Sequence, residues 1–106
     1  MSSSNITLVW RIGSKFSEDS LAQIFEESGS TEQEPKGEHE KRIWKFNDLT
    51  IKLYDRTLVV QGKLSSAGLL LLEGINLIEG LSLEYQVDVF LESNISFGST
   101  HPSIQI

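Results

Sequence analysis

Three short runs of alternating residues between positions 42 and 62 constrain the fold of this chain more than any other feature. In each run, large apolar residues alternate with smaller or polar ones, which is the period of a strand with one buried face. The runs are separated by Asn47-Asp48 and Asp55-Arg56, and Asn and Asp are typical turn residues. Because connections this short join only antiparallel neighbours, the sequence predicts an antiparallel meander.

The alternation also assigns the two faces of this meander. One set of side chains is large and apolar and is expected to pack against helices: Trp44, Phe46, Leu49, Ile51, Leu53, Leu58 and Val60. The opposite set combines lysine, an aromatic ring and hydrogen-bonding groups and is expected to face outward: Lys45, Thr50, Lys52, Tyr54, Val59 and Gln61. The sequence therefore predicts one covered and one open sheet face.

Alternation predicts one strand before the meander and one after it. Residues 6–12 place Ile6, Leu8 and Trp10 on one side, and we expect Trp10 and Trp44 in the core. Residues 82–91 predict a later strand, and one of its faces carries the set Leu83, Tyr85, Val87, Val89 and Leu91.

Two segments carry helix signals. Residues 17–28 predict a helix with Ser17 as its N-cap and Gly29 as its C-cap. A second helix is expected from Ser65 or Ser66 to about Ile78. Residues 29–41 contain no large apolar residue and predict a mobile surface loop. The sequence predicts a single domain over residues 1–91, followed by a loosely ordered tail over residues 92–106.

This element order, β-α-βββ-α-β, predicts the α+β class. An antiparallel sheet with both helices on one face satisfies the pattern, because each helix then buries its apolar stripe against the apolar sheet face. The strands 6–12 and 82–91 are expected at sheet edges, where pairing between two copies would give a homodimer.

Charge is distributed unevenly along the chain. Residues 1–40 carry eight acids and three bases, a net charge of −5; residues 41–63 carry six bases and two acids, a net charge of +4. Residues 64–106 carry five acids and no Lys or Arg, which brings the total to −6. The basic segment coincides with the predicted meander, whereas the segments that contain the predicted helices are acidic.

Catalytic and metal-binding patterns are weak in this sequence. His39 lies in the acidic loop and His101 in the tail, and neither is next to a nucleophile in a known catalytic arrangement. Glu38 and Glu40 flank His39, but adjacent residues rarely converge on one metal. We therefore expect no enzymatic activity, no metal and no cofactor. The absence of cysteine and of an N-terminal apolar stretch predicts a cytoplasmic protein without a signal peptide.

The segment Leu-Thr-Ile-Lys-Leu-Tyr-Asp-Arg-Thr-Leu-Val-Val-Gln-Gly-Lys, residues 49–63, consists of two amphipathic strands and is followed by a predicted helix. Over residues 42–79 the chain resembles the TATA-binding-protein-like (TBP-like) fold. It is similar to the N-terminal domain of ribonuclease HIII and to modules of ribonuclease LS type toxins. The resemblance implies a curved antiparallel sheet, backed by two helices, that contacts nucleic acid or another protein. It maps Lys52, Tyr54, Gln61 and Lys63 onto the binding face.

Two functional hypotheses follow, and a third is weaker. In the first, the chain is a non-catalytic protein-interaction domain, such as an inhibitor, antitoxin or accessory subunit of a nucleic-acid enzyme, whose acidic helices and loop mimic phosphates toward a basic partner. In the alternative, the outer face binds DNA or RNA. Both assign the same candidate binding residues: Lys45, Thr50, Lys52, Tyr54, Gln61 and Lys63. The third is an enzyme that uses carboxylates alone.

Overall fold

A computed structural model describes residues 5–88 of the chain. The elements follow one another as β1 (Asn5–Ile12), α1 (Glu18–Ser28), β2 (Thr31–Gln33), β3 (Arg42–Phe46), β4 (Leu49–Leu53), β5 (Thr57–Lys63), α2 (Ser66–Asn76) and β6 (Leu81–Asp88). Over this part of the chain the strands form one six-stranded antiparallel sheet in the order β2-β3-β4-β5-β1-β6. The predicted α+β class and the predicted meander are confirmed.

The two described helices pack on the same face of the sheet, as predicted. Leu21 and Phe25 of α1 join Leu72 and Ile75 of α2 in one hydrophobic core with the inward residues of the strands. The sheet supplies the apolar set predicted for its inner face, including both tryptophans. The indole Nε1–H of Trp10 donates to Oδ1 of Asn76 at 2.9 Å, which links the interior strand β1 to the end of α2.

Local signals account for where the helices begin and end. The hydroxyl oxygen of Ser65 accepts a hydrogen bond from the N–H of Gly68 at 3.0 Å and so caps α2. Ser17 occupies the N-cap position of α1, as predicted, but its side chain makes no capping hydrogen bond within the described residues. Gly29 ends α1 in the left-handed conformation with φ of +82°. Neither described helix has the length and apolar character needed to cross a bilayer.

Strand β2 corrects the prediction of an unstructured loop over residues 29–41. Thr31, Glu32 and Gln33 pair with Lys45, Trp44 and Ile43 of β3, although all three β2 side chains are exposed. The ladder is held by backbone hydrogen bonds, which do not require apolar side chains, so a search for alternating apolar residues misses it. The observed order is therefore β-α-ββββ-α-β.

The sheet order places β6 at an edge, as predicted, but the arrangement of β1 and β6 corrects two further predictions. Strand β1 lies between β5 and β6, so it is not an edge strand and offers no free edge to a second copy. In β6, Leu83 is buried while Tyr85 is 45% exposed, so the two do not share a face. A register shift against β1 between Val9 and Trp10 breaks the alternation. Residues 89–91 of the predicted strand and the predicted tail lie outside the described residues.

Candidate functional site

The strand register places four of the six predicted binding residues on the face of the sheet opposite the helices, here called the open face. Lys45 on β3 lies opposite Thr50 on β4, and Thr50 lies opposite Gln61 on β5. The Lys45 Nζ and the Thr50 hydroxyl are 3.5 Å apart. Thr7 of β1 continues this row beside Gln61, so the side chains of this row from β3 to β1 can all form hydrogen bonds.

A second row on the open face is more apolar. Lys52 on β4 lies between Ile43 on β3 and Val59 on β5, and Val9 of β1 continues the row. Ile43 is only 5% exposed although it lies outside the helix-facing core. The open face is therefore partly covered around Lys52 and not uniformly solvated.

The remaining two predicted residues lie at strand ends. Tyr54 directly follows β4, is half-buried, and donates its backbone N–H to the carbonyl of Thr57 at 2.8 Å. Lys63 is the last residue of β5 and pairs with Asn5 at the start of β1. The structure thus clusters Lys45, Thr50, Lys52 and Gln61, and leaves Tyr54 and Lys63 at the periphery of the face.

The carboxylate of Glu40 forms an ion pair with the ammonium group of Lys52. Its Oε2 lies 3.1 Å from the Lys52 Nζ, and its Oε1 accepts from the N–H groups of Lys36 and Gly37 at 3.0 and 2.9 Å. The Glu40 side chain is only 10% exposed. The loop that precedes β3 therefore supplies a carboxylate to the open face. Of the lysines on this face, only Lys45 and Lys63 form no ion pair within residues 5–88.

These contacts also lower the pKa of Glu40 below its ordinary value, through the N–H of Gly37, the ammonium of Lys52 and the N–H of Lys36. A carboxylate with a lowered folded-state pKa stabilises the fold above its unfolded-state pKa, and this stabilisation disappears as the pH falls through the folded-state pKa.

We expect Glu40→Gln to loosen the loop, because an amide keeps an acceptor for the two N–H groups but removes the charge that holds Lys52. At neutral pH the amides of Lys36 and Gly37 should exchange faster than in the wild type, and the thermal midpoint should fall. Below the folded-state pKa of Glu40, the two proteins should converge. Glu38→Gln, an exposed neighbour in the same loop, is the control. Equal exchange in the variant and the wild type at neutral pH would contradict the contact.

Two bases of the basic segment lie on the helix side of the sheet and not on the open face. Arg42 binds Glu32 through two nitrogens, Nε to Oε2 at 2.9 Å and Nη2 to Oε1 at 2.8 Å, and its Nη1 contacts Glu18 at 3.1 Å. Lys41 also reaches Glu18, at 3.6 Å. The hydrogen bond from Arg42 lowers the pKa of Glu32. These bases are used to join β2 and β3 to α1.

Arg42 also contacts an aromatic pair. Its guanidinium carbon lies 4.8 Å from the centroid of the Trp44 ring, and that ring lies 4.5 Å from the ring of Phe25 on α1. The bonds to Glu32 and Glu18 raise the pKa of Arg42 above its ordinary value. The cluster is structural: its charged groups neutralise one another, and its rings belong to the core.

The two described helices themselves carry only acidic charges. Helices α1 and α2 contain five acids, Glu18, Asp19, Glu26, Glu27 and Glu73, and no Lys, Arg or His. Of these acids, only Glu18 forms an ion pair within residues 5–88. The charges are therefore only partly segregated between the two faces: the helices are acidic, but Lys41 and Arg42 lie beside them, bound to Glu18 and Glu32.

An apolar groove of about 410 Å³ runs between α1 and α2. It is lined by Ile24, Glu27, Ser28, Phe46, Ala67, Leu70, Leu71 and Gly74. Leu70 is 70% exposed, and Leu77, two helical turns further along, is 85% exposed. Isolated exposed leucines are common, but two on one stripe beside an apolar groove mark a candidate interface.

Sequence reasoning did not identify this groove, although a signal was present. Leu69, Leu70, Leu71 and Leu72 are consecutive in a helix, where successive side chains point about 100° apart. Four consecutive leucines therefore cannot all face one core. Leu71 and Leu72 are buried and Leu70 points away from the core.

The described residues contain no group of three or more His, Asp or Glu side chains placed to hold a metal ion. Comparison of the chain with known protein families, characterised proteins and solved structures returns no match.

Proposed function

We propose that this protein is a non-catalytic protein-interaction domain, and that it acts as an inhibitor, antitoxin or accessory subunit of a nucleic-acid enzyme. The observation that carries the proposal is the charge on the helical face: five acids and no base in α1 and α2. A surface of this kind is complementary to the basic surfaces with which nucleic-acid enzymes bind phosphate. Repulsion would also keep such a surface away from nucleic acid itself.

The balance of charges favours a protein partner over direct nucleic-acid binding. The open face has few lysines available, because Glu40 already binds Lys52. At the β1–β6 side of the sheet, Glu84 binds Arg11 at 2.9 Å. Phosphate binding depends on the number of cations that can replace counterions, and that number is reduced here.

Affinity capture from the native cell, with and without nuclease treatment, tests this function. We expect a protein partner that survives nuclease treatment and is lost with the double variant Glu27→Lys, Glu73→Lys, which reverses charge on two exposed positions. The matched control is the double variant Lys45→Glu, Lys63→Glu, which should retain the partner. Loss of the partner only in the control, or only after nuclease treatment, would contradict the proposal.

A second candidate is a TBP-like nucleic-acid-binding module. It is supported by the helices backing one face of the sheet, and by the row of Lys45, Thr50 and Gln61 on the other. This candidate requires binding of single-stranded DNA or RNA that weakens steeply with salt. Lys45→Glu should then remove binding. The first candidate function instead predicts that the chain binds neither DNA nor RNA.

A further inference from the structure

We infer that the groove between α1 and α2 binds an amphipathic helix of the protein partner, with apolar side chains on one side and lysine or arginine beside them. This inference rests on the proposed function and specifies its partner. It assigns the contact to one groove and one kind of segment.

The apolar part of the inference comes from the spacing of the residues that α2 presents. Ala67, Leu70 and Leu71, and then Gly74, recur at the three- and four-residue intervals of one helix face. Leu77 extends this face by a further turn. On the opposite wall, Ile24 of α1 and Phe46 of β3 complete the groove. Grooves of this shape and lining accept a helix that inserts side chains at matching intervals.

The basic part of the inference comes from the charges beside the groove. Glu27 lines one wall, and Glu73 lies three residues after Leu70 and four before Leu77 on α2. Both carboxylates are exposed, and neither forms an ion pair within residues 5–88. A helix seated in the groove therefore meets negative charge along its borders and needs positive side chains there.

The same charges argue against a second copy of this chain as the occupant. In a symmetric dimer through this groove, each copy would bring its own Glu27 and Glu73 against those of the other. Neither helix contains a base that would compensate. Like charges facing one another oppose such an association, which leaves a basic partner as the complementary occupant.

Gly74 lines the groove and provides a variant that separates binding from folding. A Cβ added at Gly74 would meet nothing within 4 Å, so the fold does not require glycine there. Glycine inside a helix is less favourable than alanine. Gly74→Ala should therefore fold at least as stably as the wild type, while its methyl group fills part of the groove.

The test uses a synthetic helical peptide of about 18 residues, or five turns, with leucine at every third or fourth position and lysine elsewhere. We expect the full-length chain to bind it, with amide NMR shifts confined to α1, α2 and Phe46. Leu70→Ser should weaken binding by about tenfold or more, and Gly74→Ala should also weaken it. The matched control is Tyr85→Ser, which removes an exposed ring from β6 and should leave binding unchanged. A peptide with glutamate in place of lysine should not bind.

Several results would overturn the inference. Peptide binding could be unchanged in both Leu70→Ser and Gly74→Ala, or the peptide could shift the amide signals of β3, β4 and β5 beyond Phe46. The glutamate peptide could also bind equally well. Finally, the chain could sediment as a dimer that Leu70→Ser converts to a monomer. If the groove fails these tests while the captured partner is still lost with Glu27→Lys, Glu73→Lys, then only the groove assignment is wrong. If capture returns no protein partner, then the proposed function is wrong.

Discussion

Trp10→Ala is expected to lower the free energy of unfolding by about 3–5 kcal/mol, because it leaves a large cavity in a closely packed core. Trp10 is fully buried on the interior strand β1, between β5 and β6. The variant also removes the donor that binds Asn76 at 2.9 Å. The stability is lost for two reasons: the core loses the packing contacts of the indole ring, and the side-chain amide of Asn76 loses its hydrogen-bond donor.

Urea unfolding followed by circular dichroism measures this effect. Tryptophan fluorescence would not compare the two proteins equally, because the variant retains only Trp44. Trp10→Phe should lie between the wild type and the alanine variant, because a ring remains in the core. Val9→Ala is the matched control: Val9 is the neighbour on the same strand but lies on the open face and is only half-buried. A cost below about 1 kcal/mol for Trp10→Ala would show that this core is not packed around Trp10.

Gly62→Ala is expected to cost about 3 kcal/mol, or to prevent folding, for two separate reasons. Gly62 has φ of +139°, a conformation that residues with a Cβ rarely adopt. A Cβ at Gly62 would also overlap the carbonyl oxygen of Asp48 in the turn between β3 and β4. That contact is with backbone, so no side-chain rotation can relieve it.

Gly74→Ala is the matched control for this second substitution. It makes the same chemical change in a helix, at open space and without a positive φ, and should stabilise the domain by about 0.5–1 kcal/mol. The two midpoints in urea should therefore move in opposite directions. If both urea midpoints moved equally in the same direction, the positive φ of Gly62 and its close approach to Asp48 would be contradicted.

The meander and the helices could be predicted because their signals are local. Strict alternation between residues 42 and 62, with two-residue connections, allows little except antiparallel neighbours. Ser65 and Gly29 mark helix ends through contacts made within a few residues. The sidedness of the open face followed from the same period of two, and the register confirms it for Lys45, Thr50, Lys52 and Gln61.

The features that escaped prediction depend on contacts between distant parts of the chain. Strand β2 forms because β3 offers an unpaired edge, and the face exchange in β6 follows from its register against β1. Arg42 belongs to the basic segment of the sequence, but in the fold it lies on the helix side, where its partners are Glu18 and Glu32. Net charge along a segment does not show which face of a sheet each charge occupies.

The contact between Glu40 and Lys52 illustrates the same limit at the candidate site. The sequence predicts a mobile acidic loop around Glu40, because residues 29–41 contain no large apolar residue. In the fold, the loop leads directly into β3, beside β4, and Glu40 lies against Lys52. The open face consequently holds fewer available cations than its sequence indicates, and the helical face becomes the stronger candidate for a partner.

We propose that a protein segment of the partner contacts the helical face. Photo-crosslinking in the native cell tests it most directly, with a benzophenone amino acid in place of Leu70 in one variant and in place of Gln61, exposed on the open face, in another. We predict a protein crosslink from position 70, to a helical segment with apolar residues at three- and four-residue intervals and lysine or arginine beside them, and none from position 61. A crosslink from position 61 alone, or one to nucleic acid, would show instead that the partner contacts the open face.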